Sequence, residues 1–364
     1  MSAELPTGTI KQKPEDFVVD EIPAYEPSGE GTHLYVRFKK RNLTTDQAVK
    51  AFARALDVDR RDMGVAGLKD KIGVTTQWIS IPANDPAIDE RVATLAIDGV
   101  EILDHRRHGN KLKTGHLKGN RFTIVVCDVD RARLPEIAAA LERIKKDGVP
   151  NAFGVQRFGR DGDTHERARA WLTGKERAPA DPRLRRFHFS ALQSAIFNAV
   201  LDHRVAVGNW NVPVLGDLLK KEETGGIFTC TDVQVDRERA ERGELCPTGP
   251  IVGDRMRQPE AEALELEQRI VGPLIEGIDL RRARSLGEGT RRPLRLHVAE
   301  LSHSAVASSL DEAAPSDPPT KVCAIEVRFV LPKGAYATTV LSNAFHLTDA
   351  DGEERQLAPL NEEE

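Results

Sequence analysis

A strand that comes late in the chain constrains its fold more than any other feature. Residues 323–331 alternate Ile325, Val327 and Phe329 with Glu326 and Arg328, the period-2 pattern of a strand with one buried face. This strand follows residues 149–296, a stretch richer in helix and charge than the mixed α and β residues ahead of it. The order reads as a segment, 149–296, inserted into a domain closed by both ends of the chain, residues 1–148 together with 297–364.

The first 130 residues carry both periodicities. Residues 17–22 and 32–38 read as strands, the second with Leu34, Val36 and Phe38 alternating, and turn residues 26–31 join them. Thr44 and Gln47 have capping-box spacing ahead of Ala48, Phe52 and Leu56, which recur at i, i+4 and i+8 as in a helix. Residues 74–81 and 121–128 are apolar, β-branched strands. Pro135 opens a helix with Ile137, Leu141 and Ile144 on one face and Gly148 as its stop. Further helices are expected from Ser190 to about residue 207 and over 260–270. Residues 302–320, rich in Ser, Ala, Asp and Pro, have loop composition, and the acidic tail 361–364 reads as frayed.

A length of 364 residues allows one large or two modest domains, and no disulfide staple is needed for such a core. Cys127, Cys230, Cys246 and Cys323 form no CxxC pair, which suggests neither a zinc site nor a disulfide framework and fits a reducing cytosol. The polar start Met1-Ser2-Ala3-Glu4 argues against a secretory signal, and no apolar run approaches the length of a membrane helix. The net charge of −5 disfavours a surface coated in basic residues. It leaves room for nucleic acid, which needs only a local positive field.

Gly67-Leu68-Lys69-Asp70-Lys71 is where chemistry is most concentrated. Neighbouring cations favour the ionised form of a carboxylate, and an ionised carboxylate on a tight turn at a strand edge can act as a nucleophile or a base. Taken alone, Lys-Asp-Lys is a surface turn. Residues 105–121 add Arg106, Arg107, Lys111, Lys113, Lys118 and Arg121, with three histidines and no acid, interleaved by Gly109, Gly115 and Gly119. Such a basic loop suits phosphate backbones, or is simply solvated. Residues 149–160 mix Gly, Phe, Arg, Asn and Gln, types that stack on unpaired bases and read their edges, or that anchor a domain-junction turn through Phe153 and Phe158. There is no P-loop, no dinucleotide fingerprint and no nucleophile elbow. His105 and His108 lie three apart but among cations, which disfavours a metal.

Five motifs in order resemble the TruD family of RNA pseudouridine synthases and extend over nearly the whole chain. They are Lys11-x-x-Pro14-Glu15-Asp16-Phe17-x-Val19-x-Glu21; Ala66-Gly67-Leu68-Lys69-Asp70-Lys71-x-Gly73-Val74-Thr75-x-Gln77-Trp78; Gly115-His116-Leu117-Lys118-Gly119-Asn120-Arg121-Phe122; Val149-Pro150-Asn151-x-Phe153-Gly154-x-Gln156-Arg157-Phe158-Gly159; and Leu331-Pro332-x-Gly334-x-Tyr336-Ala337-Thr338. Two positions depart from the family pattern. Ala152 stands where an aromatic residue is usual, and Tyr336 stands where Phe is usual and keeps a stacking face.

The resemblance implies an α+β fold, a mixed and mainly antiparallel sheet flanked by helices, with the family's own α/β domain inserted at 149–296. It implies isomerisation of uridine to pseudouridine, at position 13 of tRNA, in the cytoplasm, with tRNA as partner, no obligate protein partner, and no metal or organic cofactor. Asp70 is then the catalytic carboxylate. Lys11 is a cation that keeps it ionised, a part Lys69 or Lys71 could also play. Phe17, Phe122 and Tyr336 are candidates for holding the flipped base, with core packing the competing reading for the two phenylalanines. Asn120 offers a donor and an acceptor to a uracil edge. Arg106, Arg107, Lys111, Lys113, Lys118 and Arg157 are candidates for the RNA backbone. Two other readings stand beside this one: an RNA-binding protein without catalysis, and a hydrolase, which would need a second acid, for which Glu21 is the nominee.

Overall fold

The computed structural model describes residues 4–159, 161–306 and 322–349. Residues 307–320 of the stretch read as loop, and the tail 361–364, lie outside them. The described residues form two compact units. One ends at Lys145 and resumes at Val298; the other is Lys146–His297.

The first unit is built on ten strands. Seven follow in the row Ala299–Val306, Val322–Pro332, Leu117–Asp130, Phe17–Pro23, Val74–Pro82, His33–Arg41 and Val100–His108. All neighbours in the row are antiparallel except Phe17–Pro23 and Val74–Pro82, which pair in parallel, Val19 opposite Thr75. Thr7–Ile10 runs parallel to His346–Asp349 and touches Leu117–Asp130, so both ends of the described chain close on one sheet. The fold is α+β and mainly antiparallel. The late strand, Val322–Pro332, lies inside the row, between Ala299–Val306 and Leu117–Asp130.

Alternation decides which face is covered. Leu34, Val36 and Phe38 point the same way and pack with Ile79 and Ile81 against Phe52 and Leu56 of the helix Thr45–Leu56. Burial of a side chain such as Phe52 contributes about 1.5–3 kcal/mol. That helix begins in a reciprocal capping box: Thr44 Oγ1 accepts from Gln47 N at 3.0 Å and Gln47 Oε1 accepts from Thr44 N at 2.8 Å. Tyr35 and Trp78 face the opposite side with Leu112 and Leu117.

The second unit sets the helix Pro182–Ala206 against a four-stranded sheet, with Phe197 and Leu201 packed on Leu294. Two ion pairs are buried there, Arg204 with Asp217 at 2.8 Å and Arg291 with Glu267 at 2.5 Å. The long helix starts well before Ser190. Asp181 caps it by accepting from Arg183 N at 2.8 Å, and Pro182 occupies the first turn, where its missing N–H costs nothing. The helix expected over 260–270 runs Ala261–Ile275, and Arg169 caps the carbonyls of Pro273 and Leu274 at 3.2 Å each.

The basic segment is not one loop. Residues 105–108 belong to Val100–His108 and 117–121 to Leu117–Asp130, leaving only 109–116 between strands. Val100–His108 ends the row, and charged side chains on an edge strand guard it against further pairing. Residues 302–306, read as the start of a loop, complete the strand Ala299–Val306 at the other end of the row.

Candidate active site

Parallel pairing at the centre of the sheet brings two loops to one end. The segment 11–16 leads into Phe17–Pro23, and the turn 66–73 leads into Val74–Pro82; because these strands run the same way, both loops arrive together. Lys11 Nζ stands 3.5 Å from Asp70 Oδ2 and 4.1 Å over the centre of the Phe17 ring. The Lys11 side chain is 8% exposed and that of Asp70 42%, so the cation is walled in and the carboxylate is open. Lys11 holds a left-handed backbone, φ 60°, which is costly for a side chain of its kind.

The Asp70 turn is pinned from beneath on both sides of the carboxylate. Lys69 turns inward, and its Nζ donates to Glu21 Oε2 at 2.6 Å in a pair whose side chains are 4% and 1% exposed. The other oxygen, Glu21 Oε1, accepts from Trp78 N at 3.2 Å. Lys69 N donates to Thr45 Oγ1 at 2.9 Å, and Thr45 Oγ1 donates to Gln77 Oε1 at 2.9 Å. Lys40, fully buried, donates to the carbonyl of Asp70 itself at 2.7 Å and to that of Leu43. Gly73, at φ 143°, closes the turn; a Cβ there would meet Phe17 O at 2.5 Å. Lys71, Leu68 and Ile72 face outward.

These contacts correct two readings. Lys69 is spent on Glu21, so Lys11 is the cation whose ammonium reaches the Asp70 carboxylate. Glu21, the nominee for a second acid, is buried with both oxygens engaged and is in no position to act across a glycosidic bond.

Burial lowers the Lys40 pKa to about 8; the Asp70 carboxylate pushes it back up and Lys69 pushes it further down. Unfolded, the lysine would hold its proton to the ordinary 10.5. Between those values the unfolded chain binds the extra proton, so stability rises with pH across that window. Relative to Lys40→Met, the wild type is expected to gain up to about 3 kcal/mol there, read from denaturant melts at several pH values.

Phe17 and Phe122 are buried, meet edge to face at 6.3 Å, and continue into Phe329, stacked on Phe122 at 5.4 Å. Their rings pack in the core, and the Phe17 face is taken by Lys11. Tyr336 is different: it is 44% exposed and precedes the short helix Ala337–Leu341. Asn120 lies opposite Glu21 on one neighbour and Leu331 on the other, and its buried Oδ1 has no hydrogen-bond partner. A buried acceptor left without a donor is a cost that a bound N–H would remove. The turn carrying Tyr336 lies beside the third motif, since Lys333 Nζ donates to Gly115 O at 3.1 Å.

The basic stripe is less free than its acid-free sequence suggests. Arg107 forks onto Asp89, and Arg106 pairs with Asp104 at 2.9 Å. Lys111 donates to the carbonyl of Arg61 at 2.6 Å. Lys113 and Lys118 are exposed. Arg157 belongs to the second unit, where its Nε donates to Ser194 Oγ at 3.3 Å. There the fourth motif is a structural hub: Asn151 Nδ2 donates to Pro293 O, Phe153 and Asn198 exchange two bonds of 2.8 Å, and Ala152 and Phe153 pack against the cluster of Phe197, Leu201 and Leu294.

Among the described residues no group of three or more His, Cys, Asp or Glu gathers as a metal site, and no helix is long and apolar enough to cross a membrane. Sequence reasoning missed Lys40, although the alternation of Leu34, Val36 and Phe38 continues to it and puts it on the buried face.

The family model for tRNA pseudouridine synthase D (TruD) matches residues 2–181 and 178–344. A tRNA pseudouridine synthase D of Anaeromyxobacter sp. (strain Fw109-5) is 44% identical over 94% of each chain. One of Thermus thermophilus is 37% identical over 98% of this chain and 94% of its own. The crystal structure of a TruD protein from Methanosarcina mazei superposes with a TM-score of 0.74 at 25% identity, covering 95% of both chains. With likeness of this extent on an α+β sheet, the chain is an RNA-modifying isomerase of the pseudouridine synthase class. Within that class it belongs to the TruD family of tRNA pseudouridine synthases.

Proposed function

We propose that this chain converts uridine 13 of tRNA to pseudouridine in the cytoplasm, with Asp70 as the catalytic carboxylate. The reaction breaks the N1–C1′ bond, turns the uracil and joins C5 to C1′; C5 loses its proton and N1 takes one up, so product and substrate are isomers. The base has to leave its stack, at a cost of a few kcal/mol, on the order of what flipping requires elsewhere. Asp70 either adds to C1′ or removes the C2′ proton to give a glycal. One observation carries the reading: an open carboxylate 3.5 Å from a walled-in ammonium, on a turn immobilised by buried contacts on either side.

Around it, Tyr336 supplies an exposed ring for the loose base, and the orphan Asn120 Oδ1 suits the uracil N3–H. Phe17 and Phe122 support from below, Phe17 by seating Lys11. Lys146–His297 is read as the family's inserted domain. Incubation with a tRNA transcript tests the proposal. Pseudouridine at position 13, absent from a transcript with cytidine there, is expected; free uracil signals hydrolysis, and binding without change signals a binder only.

The cationic side chains make their own prediction. Lys113 and Lys118 are exposed members of the stripe, with Lys111 beside them; Arg106 and Arg121 are exposed too but pair with Asp104 and Glu300. Neutralising the three to glutamine is expected to weaken tRNA binding and flatten the plot of log affinity against log salt, by roughly 0.7–0.9 for each phosphate left unpaired. An unchanged slope removes the stripe from the interface.

A further inference from the structure

Lys40 is a buried ammonium that the reaction scheme does not use. It is 0% exposed, and its two hydrogen bonds go to main-chain carbonyls, those of Leu43 and of Asp70. Desolvating a charge is expensive, and carbonyls alone repay it poorly, so the cation is a poor device for stability. Its position is informative. The alternation of His33–Arg41 puts it on the covered face opposite Thr75, under the turn that carries the catalytic carboxylate. We infer that Lys40 is a positioning residue for Asp70, its charged head clamping the Asp70 and Leu43 carbonyls so that the carboxylate is held towards the ribose.

The inference rests on the reading of Asp70 as catalytic and adds a regulated support beneath it. Bonds from an ammonium are about twice as strong as those from a neutral amine, so loss of the proton loosens the clamp without removing it. The charged groups that face Lys40 are both on the 66–73 turn: the Asp70 carboxylate, which favours the proton, and Lys69, which opposes it and is itself neutralised by Glu21. Val100, opposite on the neighbouring strand, is apolar, and the lead-in to the helix Thr45–Leu56 offers Lys40 the Leu43 carbonyl. The proton is thus held to about 8, within reach of an activity profile.

Single-turnover conversion of tRNA by saturating enzyme, measured between about pH 6 and pH 10, tests this. The wild type is expected to slow above a midpoint near 8. Lys40→Met is expected to turn over roughly ten- to a hundred-fold more slowly at neutral pH, with tRNA affinity unchanged and no limb near 8, because a loosened reacting group loses rate and not binding. Lys40→Arg, which does not titrate in this range, is expected to keep most of the rate and lose the limb. A wild-type profile flat across the range, a limb that persists in Lys40→Arg, or wild-type turnover by Lys40→Met overturns the inference. Should Lys40→Met not fold, the wild type and Lys40→Arg decide. Asp70→Asn runs alongside: if it is active, the catalytic reading falls, whereas an inert Asp70→Asn with a flat wild-type profile removes only the role of Lys40.

Discussion

Replacing Glu21 with alanine is expected to cost the first unit about 3–5 kcal/mol of stability, the penalty for breaking a buried ion pair from one side. Lys69 would be left without its carboxylate in a site where its side chain is 4% exposed, and the amide of Trp78 would lose its acceptor. The expected fall in melting temperature is on the order of 10 °C for a unit of this size. The same pair anchors the Asp70 turn, so the variant should also lose activity before it loses its fold. Thermal denaturation of Glu21→Ala, of Lys69→Met and of Glu21→Leu combined with Lys69→Met checks this. The double variant is expected to recover much of the loss, because an apolar pair of similar volume carries no desolvated charge. A single variant as stable as wild type contradicts the account of how the turn is held.

Much of the sheet was legible because alternation reports a strand with one covered face, as in Leu34, Val36 and Phe38 or in Ile325, Val327 and Phe329. Local caps were legible for the same reason: Thr44 and Gln47 interact across three residues. Strand order was not. That Phe17–Pro23 and Val74–Pro82 are parallel neighbours depends on long-range packing that no local period encodes. Runs of long cations hid the strand character of 105–108, since an edge strand tolerates them. From the sequence the long helix is expected only from Ser190, although Asp181-Pro182 is a start signal eight residues earlier. At the site, the Asp70 turn stood out by its flanking lysines, yet the two lysines do different things. Lys69 turns inward to an acid 48 residues away, and the cation that meets the carboxylate, Lys11, lies on a different loop. Lys40 needed the same alternation already used for its neighbours, carried one step further onto a charged residue.

Asp70→Asn is expected to have the largest effect of all. The amide matches the carboxylate in size, so the turn keeps its main-chain bond from Lys40 and the Lys69–Glu21 anchor. What disappears is the negative charge, and with it the basicity and nucleophilicity needed to attack C1′ or take the C2′ proton; the amide oxygen keeps its lone pairs but is too weak a base for either. Removal of a group that performs the chemical step costs orders of magnitude, at least about 10³-fold in rate. The side chains proposed for the phosphates lie elsewhere, so tRNA affinity is expected to hold. The deciding measurement is pseudouridine formed in a tRNA transcript by purified Asp70→Asn, quantified by base-specific mass spectrometry beside its binding isotherm. No product with near wild-type affinity is predicted; wild-type conversion by a correctly folded Asp70→Asn would contradict the account.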